Sequence, residues 1–172
     1  MPPVLFAARY RPQRRTETQV VKAPPNLCRV TMTERLLTAI ATDDSQGATE
    51  QELDSAAAAL GIELPEDYRA VMRRINGGEC DFGGSWIVLQ SLEAAIERNT
   101  TFKEAGFPPF IFFGSDGGGN GYAWDLRPER HSRYVVVPFI VPEDEAVIPC
   151  GDTLEEFLSV LHGGIPFERG GD

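Results

Sequence analysis

The sequence predicts an α+β domain with one mainly antiparallel β-sheet packed by several α-helices. Two Thr-x-x-Glu capping boxes, at Thr49 and Thr153, each open a stretch with apolar residues at helical spacing. Between them lie short aromatic and β-branched runs, most joined by segments too short for the crossover of about a dozen residues that parallel strands require. A chain of 172 residues with 42% apolar and 24% charged residues suits one core.

The elements follow in chain order. A short helix is expected over Glu34–Ile40. Thr49 and Glu52 then cap a helix whose Leu53, Ala56, Ala57 and Leu60 share one face, and Gly61 stops it. Leu64-Pro65-Glu66-Asp67 places proline at a helix start with two acids in the first turn, where they complement the helix dipole. Tyr68, Val71, Met72 and Ile75 form its apolar stripe before Asn76-Gly77-Gly78. Trp86–Leu89 reads as a strand, and Ser91 caps a helix with Leu92, Ala95 and Ile96 inward. Phe110–Phe113 and Tyr122–Leu126 read as two strands of a hairpin around Gly114–Gly121, with Asn120-Gly121 as the turn signal. A positive φ is expected at Gly118 or Gly119. Val135–Val137 and Ala146–Ile148 supply further strands on either side of the acidic turn Pro142-Glu143-Asp144-Glu145. Thr153 and Glu156 open the last helix, with Leu154, Phe157, Leu158 and Leu161 inward and Gly163-Gly164 at its end.

Charge is unevenly spread. The chain carries 16 basic and 26 acidic residues, net −10, yet residues 1–30 hold six basic groups (Arg9, Arg11, Arg14, Arg15, Lys22 and Arg29) against Glu17. The remainder is therefore at −15, which argues against a surface that tracks phosphates and suits a basic partner. Residues 1–31 also contain five prolines and no periodicity, and are expected to form a disordered basic tail, with Met32 as an alternative first residue. The domain is expected over 32–168, with 169–172 as a flexible C-terminus. Neither a signal peptide nor a membrane span is legible, so a cytoplasmic location is expected. Cys28, Cys80 and Cys150 have no paired spacing, so neither a disulfide framework nor a zinc ribbon can be read from them.

Enzyme templates fail for want of residues. His131 and His162 are far apart in sequence and belong to no metal-binding motif. Ser115 has glycines at −1 and +2, where a nucleophile elbow needs them two residues away on either side. Gly117–Gly121 leads into a strand, whereas phosphate cradles lead into helix N-termini. Arg127 stands where a calcium loop begun at Asp116 needs a glutamate. Glu79, Asp81, Asp116 and Asp125 leave a carboxylate pair open, although solvated acids are far commoner. No catalytic set, metal or cofactor is expected.

Taken in order, Leu64-Pro65-Glu66-Asp67-Tyr68, Asn76-Gly77-Gly78, Phe113-Gly114-Ser115-Asp116-Gly117-Gly118-Gly119, Tyr122-Ala123-Trp124-Asp125-Leu126 and Thr153-x-x-Glu156-Phe157-Leu158 resemble the SUKH superfamily. That superfamily includes the yeast cell-wall assembly regulator and bacterial immunity proteins that neutralise polymorphic toxins. The resemblance spans about residues 49–164 and implies an α+β domain acting through protein binding, without a catalytic residue set. It makes a cognate toxin domain the expected partner, with a basic nuclease suiting the acidic body, and nucleic acid and membrane are not expected partners. A regulatory module binding an endogenous protein is the alternative, followed by a small-molecule or glycan site beside the glycine turn. Candidate contacts are Glu79, Asp81, Asp116, Glu143, Asp144 and Glu145, with Trp86 and Trp124 as aromatic anchors. Core burial is the commoner fate of such tryptophans.

Overall fold

In the computed structural model the described residues are 30–42, 44–107, 109–140 and 146–165. The expected tail over 1–31 therefore lies almost wholly outside them, as do the C-terminal call for 169–172 and the acidic turn with Glu143, Asp144 and Glu145. Five helices, α1 (Met32–Ile40), α2 (Glu50–Leu60), α3 (Glu66–Met72), α4 (Leu92–Glu104) and α5 (Leu154–Gly163), surround one sheet. Its strands are β1 (Gly78–Phe82), β2 (Ser85–Leu89), β3 (Phe110–Ser115), β4 (Asn120–Asp125), β5 (Tyr134–Pro138) and β6 (Ile148–Gly151). Strand order equals chain order and every pair is antiparallel, so the α+β expectation holds.

Both capping boxes form. The Thr49 and Thr153 side chains accept from the backbone N–H of Glu52 and Glu156, whose carboxylates accept from the two cap residues in return. Four points differ from the sequence reading. β1 was not anticipated. The last strand lies later than Ala146–Ile148, over Ile148–Gly151. The β3–β4 turn sits at Asp116–Gly119, and Asn120-Gly121 already belongs to β4. Positive φ falls on Gly117, at +72°, and not on Gly118 or Gly119. Gly121 is small for another reason: a Cβ there would stand 2.4 Å from the Phe112 ring and 2.7 Å from that of Phe139.

The two sheet faces differ. One is covered by α1, α2, α3 and α5, with Leu53, Tyr68, Met72, Phe113, Trp124 and Phe157 in its core. Trp124 stacks on Phe113 at 4.9 Å and takes Tyr68 edge-on at 4.8 Å. On the other face, Phe110, Phe112, Ala123, Val135 and Val137 lie under Phe102, Phe107 and Phe139. This second cover reaches β3, β4 and β5, and leaves the β1–β2 wing without it.

Two polar side chains set the geometry. β2 meets β3 at Val88–Ser115 and Leu89–Gly114, Gln90 N–H adds a bond to Phe113 C=O at 3.0 Å, and the chain then turns away into α4. Buried Asn99 of α4 then takes the place of a neighbouring strand. Its Oδ1 accepts from Phe112 N–H at 2.8 Å, and its Nδ2 donates to Phe112 C=O at 2.7 Å. Asp67, in the first turn of α3, accepts from the Tyr134 hydroxyl of β5 at 2.8 Å and from Leu154 N–H, at the start of α5, at 2.6 Å. It also accepts from Tyr68 N–H at 2.8 Å.

Further carboxylates tie helices together. Glu155 of α5 accepts from Met32 N–H at 2.7 Å and from Thr33 N–H at 3.1 Å, at the start of α1. Burial pushes its carboxyl up, but these bonds outweigh burial and hold it below the usual glutamate range. Between α2 and α3, Arg69 meets Glu50 at 2.7 Å and Asp54 at 2.8 Å, while Arg73 bonds Glu50 and Glu66. The Arg73 and then the Arg69 guanidinium pull Glu50 down to about 2. The carboxylates of this cluster are exposed, so it orients α2 on α3 more than it stabilises them.

Candidate functional site

The β1–β2 wing is a hairpin closed by Gly83-Gly84, with Phe82 opposite Ser85. Alternation sends Cys80, Phe82, Ile87 and Leu89 into the core and turns Glu79, Asp81, Trp86 and Val88 to the other side. The register sets Glu79 opposite Val88 and Asp81 opposite Trp86. Trp86 is 44% exposed, in a domain whose other tryptophan is 2% exposed. Its indole borders the β3–β4 turn: a Cβ on Gly117 would lie 3.2 Å from Trp86 Cδ1. Tyr122 Oη donates to Trp86 C=O at 2.7 Å and so fixes the backbone that carries the ring.

Of the expected contact residues, the fold thus brings Glu79, Asp81 and Trp86 together on one face, with Asp116 at its border. The Asp116 carboxylate serves its own turn, accepting from Gly118 N–H at 2.8 Å, Asn120 N–H at 3.1 Å and Asn120 Nδ2 at 2.6 Å. Trp124 requires correction, because it fills the core between Phe113 and Tyr68 and offers no face to a partner. Asp125 is also buried, held by Arg127 at 2.7 Å, so it forms no open carboxylate pair with the others. His162 packs edge-on against Phe82, and His131 is exposed elsewhere. Among the described residues no cluster of three or more His, Cys, Asp or Glu side chains is placed to hold a metal. No described helix is long and apolar enough to cross a membrane.

Concavities among the described residues lie elsewhere. A groove of about 790 Å³ runs between α2 and α4, and an apolar cavity of about 350 Å³ lies among Leu60, Phe102, Phe110 and Leu126. Neither is lined by the glycine turn, where a small-molecule site was weighed.

Residues 47–160 match the model of the SMI1 / KNR4 family (SUKH-1). The chain belongs to that family. No curated protein matches it. SUKH domains interact with proteins and are in general non-enzymatic immunity or regulatory modules. The SUKH-1 match begins before α2, so α1 lies outside it, although α1 contributes Leu36, Leu37 and Ile40 to the same core. Within the SUKH-1 match, Asp67 and Asn99 are the residues whose roles sequence reasoning missed. Asn99 had a local signal, since it continues the stripe of Leu92, Ala95 and Ile96 as a polar residue on an apolar face.

Proposed function

We propose that this SUKH-1 domain is an immunity protein that neutralises a toxin domain by covering it with the outer face of the β1–β2 wing. The observation that carries the reading is Trp86, a large apolar side chain that is 44% exposed on a backbone held by Tyr122, opposite Asp81 and on the same face as Glu79. Aromatic anchors dominate binding energy where a partner excludes water around them, and flanking acids select a basic partner such as a nuclease.

The test is capture from the native host with the full chain and with Trp86→Ala. The wild type is expected to retain a toxin domain. The variant should release it about 30-fold faster, corresponding to the roughly 2 kcal/mol that defines a binding hot spot. Its melting temperature should barely move, because the ring is already half in water. Retention of an endogenous regulator in place of a toxin would support the regulatory alternative.

Glu143, Asp144 and Glu145 extend the same proposal as a steering charge. Reversing all three to Lys should slow association at low salt. The effect should fade as the screening length drops from about 10 Å at 0.1 M to about 3 Å at 1 M salt. Association rates indifferent to the reversal would remove these residues from the interface.

A further inference from the structure

We infer that β1 is a docking edge, which takes up an extended basic segment of the partner as a seventh strand of the sheet. The inference rests on the proposed protein-binding role of this wing and adds how the partner is held. The two outer strands of the sheet are not alike. β6 carries Pro149, which has no N–H to offer, and the ladder beside it shifts register between Tyr134 and Val135. Such features blunt an edge against further pairing. β1 has neither proline nor register shift over its five paired positions.

The hairpin register decides which groups β1 presents. With a two-residue connection, Phe82 and Ser85 form the hydrogen-bonded pair next to the turn, so Cys80–Ile87 and Gly78–Leu89 are hydrogen-bonded as well. The intervening Glu79 and Asp81 therefore direct their N–H and C=O groups away from β2, towards the side that has no neighbouring strand. Among the described residues no turn, cap or side-chain hydrogen bond uses those groups.

Charge chooses the occupant. An added strand would set every second side chain beside Glu79 and Asp81, where opposite charges stabilise a cross-strand pair and like charges oppose it. A second copy pairing through β1 would place these acids against each other. Arginine or lysine at alternate positions of a partner strand would neutralise them, and the aliphatic stems could lie along Trp86.

The probe is an acetylated peptide of alternating arginine and threonine, compared with the same peptide N-methylated along its backbone. The twin keeps every charge and loses its ladder donors. Titrated into the full chain, the unmethylated peptide should bind at least about tenfold more tightly. The Glu79 and Asp81 amides should gain protection from hydrogen exchange. Glu79→Gln with Asp81→Asn should weaken both peptides.

Equal binding of the two peptides without amide protection would overturn the edge while leaving an acidic contact face intact. Absence of binding by either peptide would also overturn it, as would a dimer whose Glu79 and Asp81 amides are protected before peptide is added. Selective binding of the unmethylated peptide, combined with host capture indifferent to Trp86→Ala, would support the edge and sink the immunity reading built on Trp86.

Discussion

Asp67→Ala should lower the stability of the domain by about 3 kcal/mol or more, because hydrogen bonds to a charged acceptor contribute about 1.5–3 kcal/mol each and three converge on this carboxylate. For a domain of this size the melting temperature should fall by roughly 10 °C. Two of the bonds join α3 to β5 and to the start of α5, so the loss separates elements far apart in the chain. Asp67→Asn is the informative companion. One oxygen can still accept from the Tyr134 hydroxyl and Tyr68 N–H, but the amide nitrogen would face Leu154 N–H, donor against donor. About half of the loss is expected to remain. Thermal unfolding of both variants checks this, and an unchanged midpoint for the alanine variant would mean that water replaces the carboxylate at no cost.

Asn99→Leu should cost about 2–4 kcal/mol although it adds apolar surface to a helix facing the core. The leucine strands the N–H and C=O of Phe112, two buried groups that each carry a penalty of about 1–3 kcal/mol when unpaired. Hydrogen exchange gives a local readout. The Phe112 amide should lose protection by more than the global destabilisation explains, whereas the Ala123 amide, on the neighbouring strand, should follow the global change alone. Equal loss at both positions would show that Asn99 contributes only to overall stability.

These two residues mark how far the sequence could be read. Helix starts were legible because a capping box is a local device: Thr49 needs only Glu52, and Thr153 only Glu156. The strands from Phe110 and Tyr122 were legible because aromatic runs between glycines have few other places to go. β1 escaped notice because it follows Asn76-Gly77, which reads as a stop, and because its Glu-Cys-Asp-Phe alternation is too short to stand out. Asn120-Gly121 misled because the dipeptide suits a tight turn, whereas here Asp116 holds the turn with its own carboxylate and Gly121 makes room for two phenylalanine rings. Asp67 was read through its own helix dipole. Its decisive partners, Tyr134 and Leu154, lie 67 and 87 residues away, beyond the reach of any local pattern.

For the candidate site, alternation is the part that could have been read, since it predicts that Glu79, Asp81 and Trp86 share a side once β1 is recognised. Which tryptophan is buried could not be read, because Trp86 and Trp124 both sit in short apolar strands that follow glycine turns. The difference arises from the helices, which cover one face of the whole sheet and only β3, β4 and β5 on the other.

The wing's strict alternation also has an evolutionary consequence. Cys80, Phe82, Ile87 and Leu89 carry its packing, while Glu79, Asp81, Trp86 and Val88 point the other way. A lineage can therefore rewrite one set of letters while keeping the other, so the chemistry of this outer face can change without passing through unfolded ancestors.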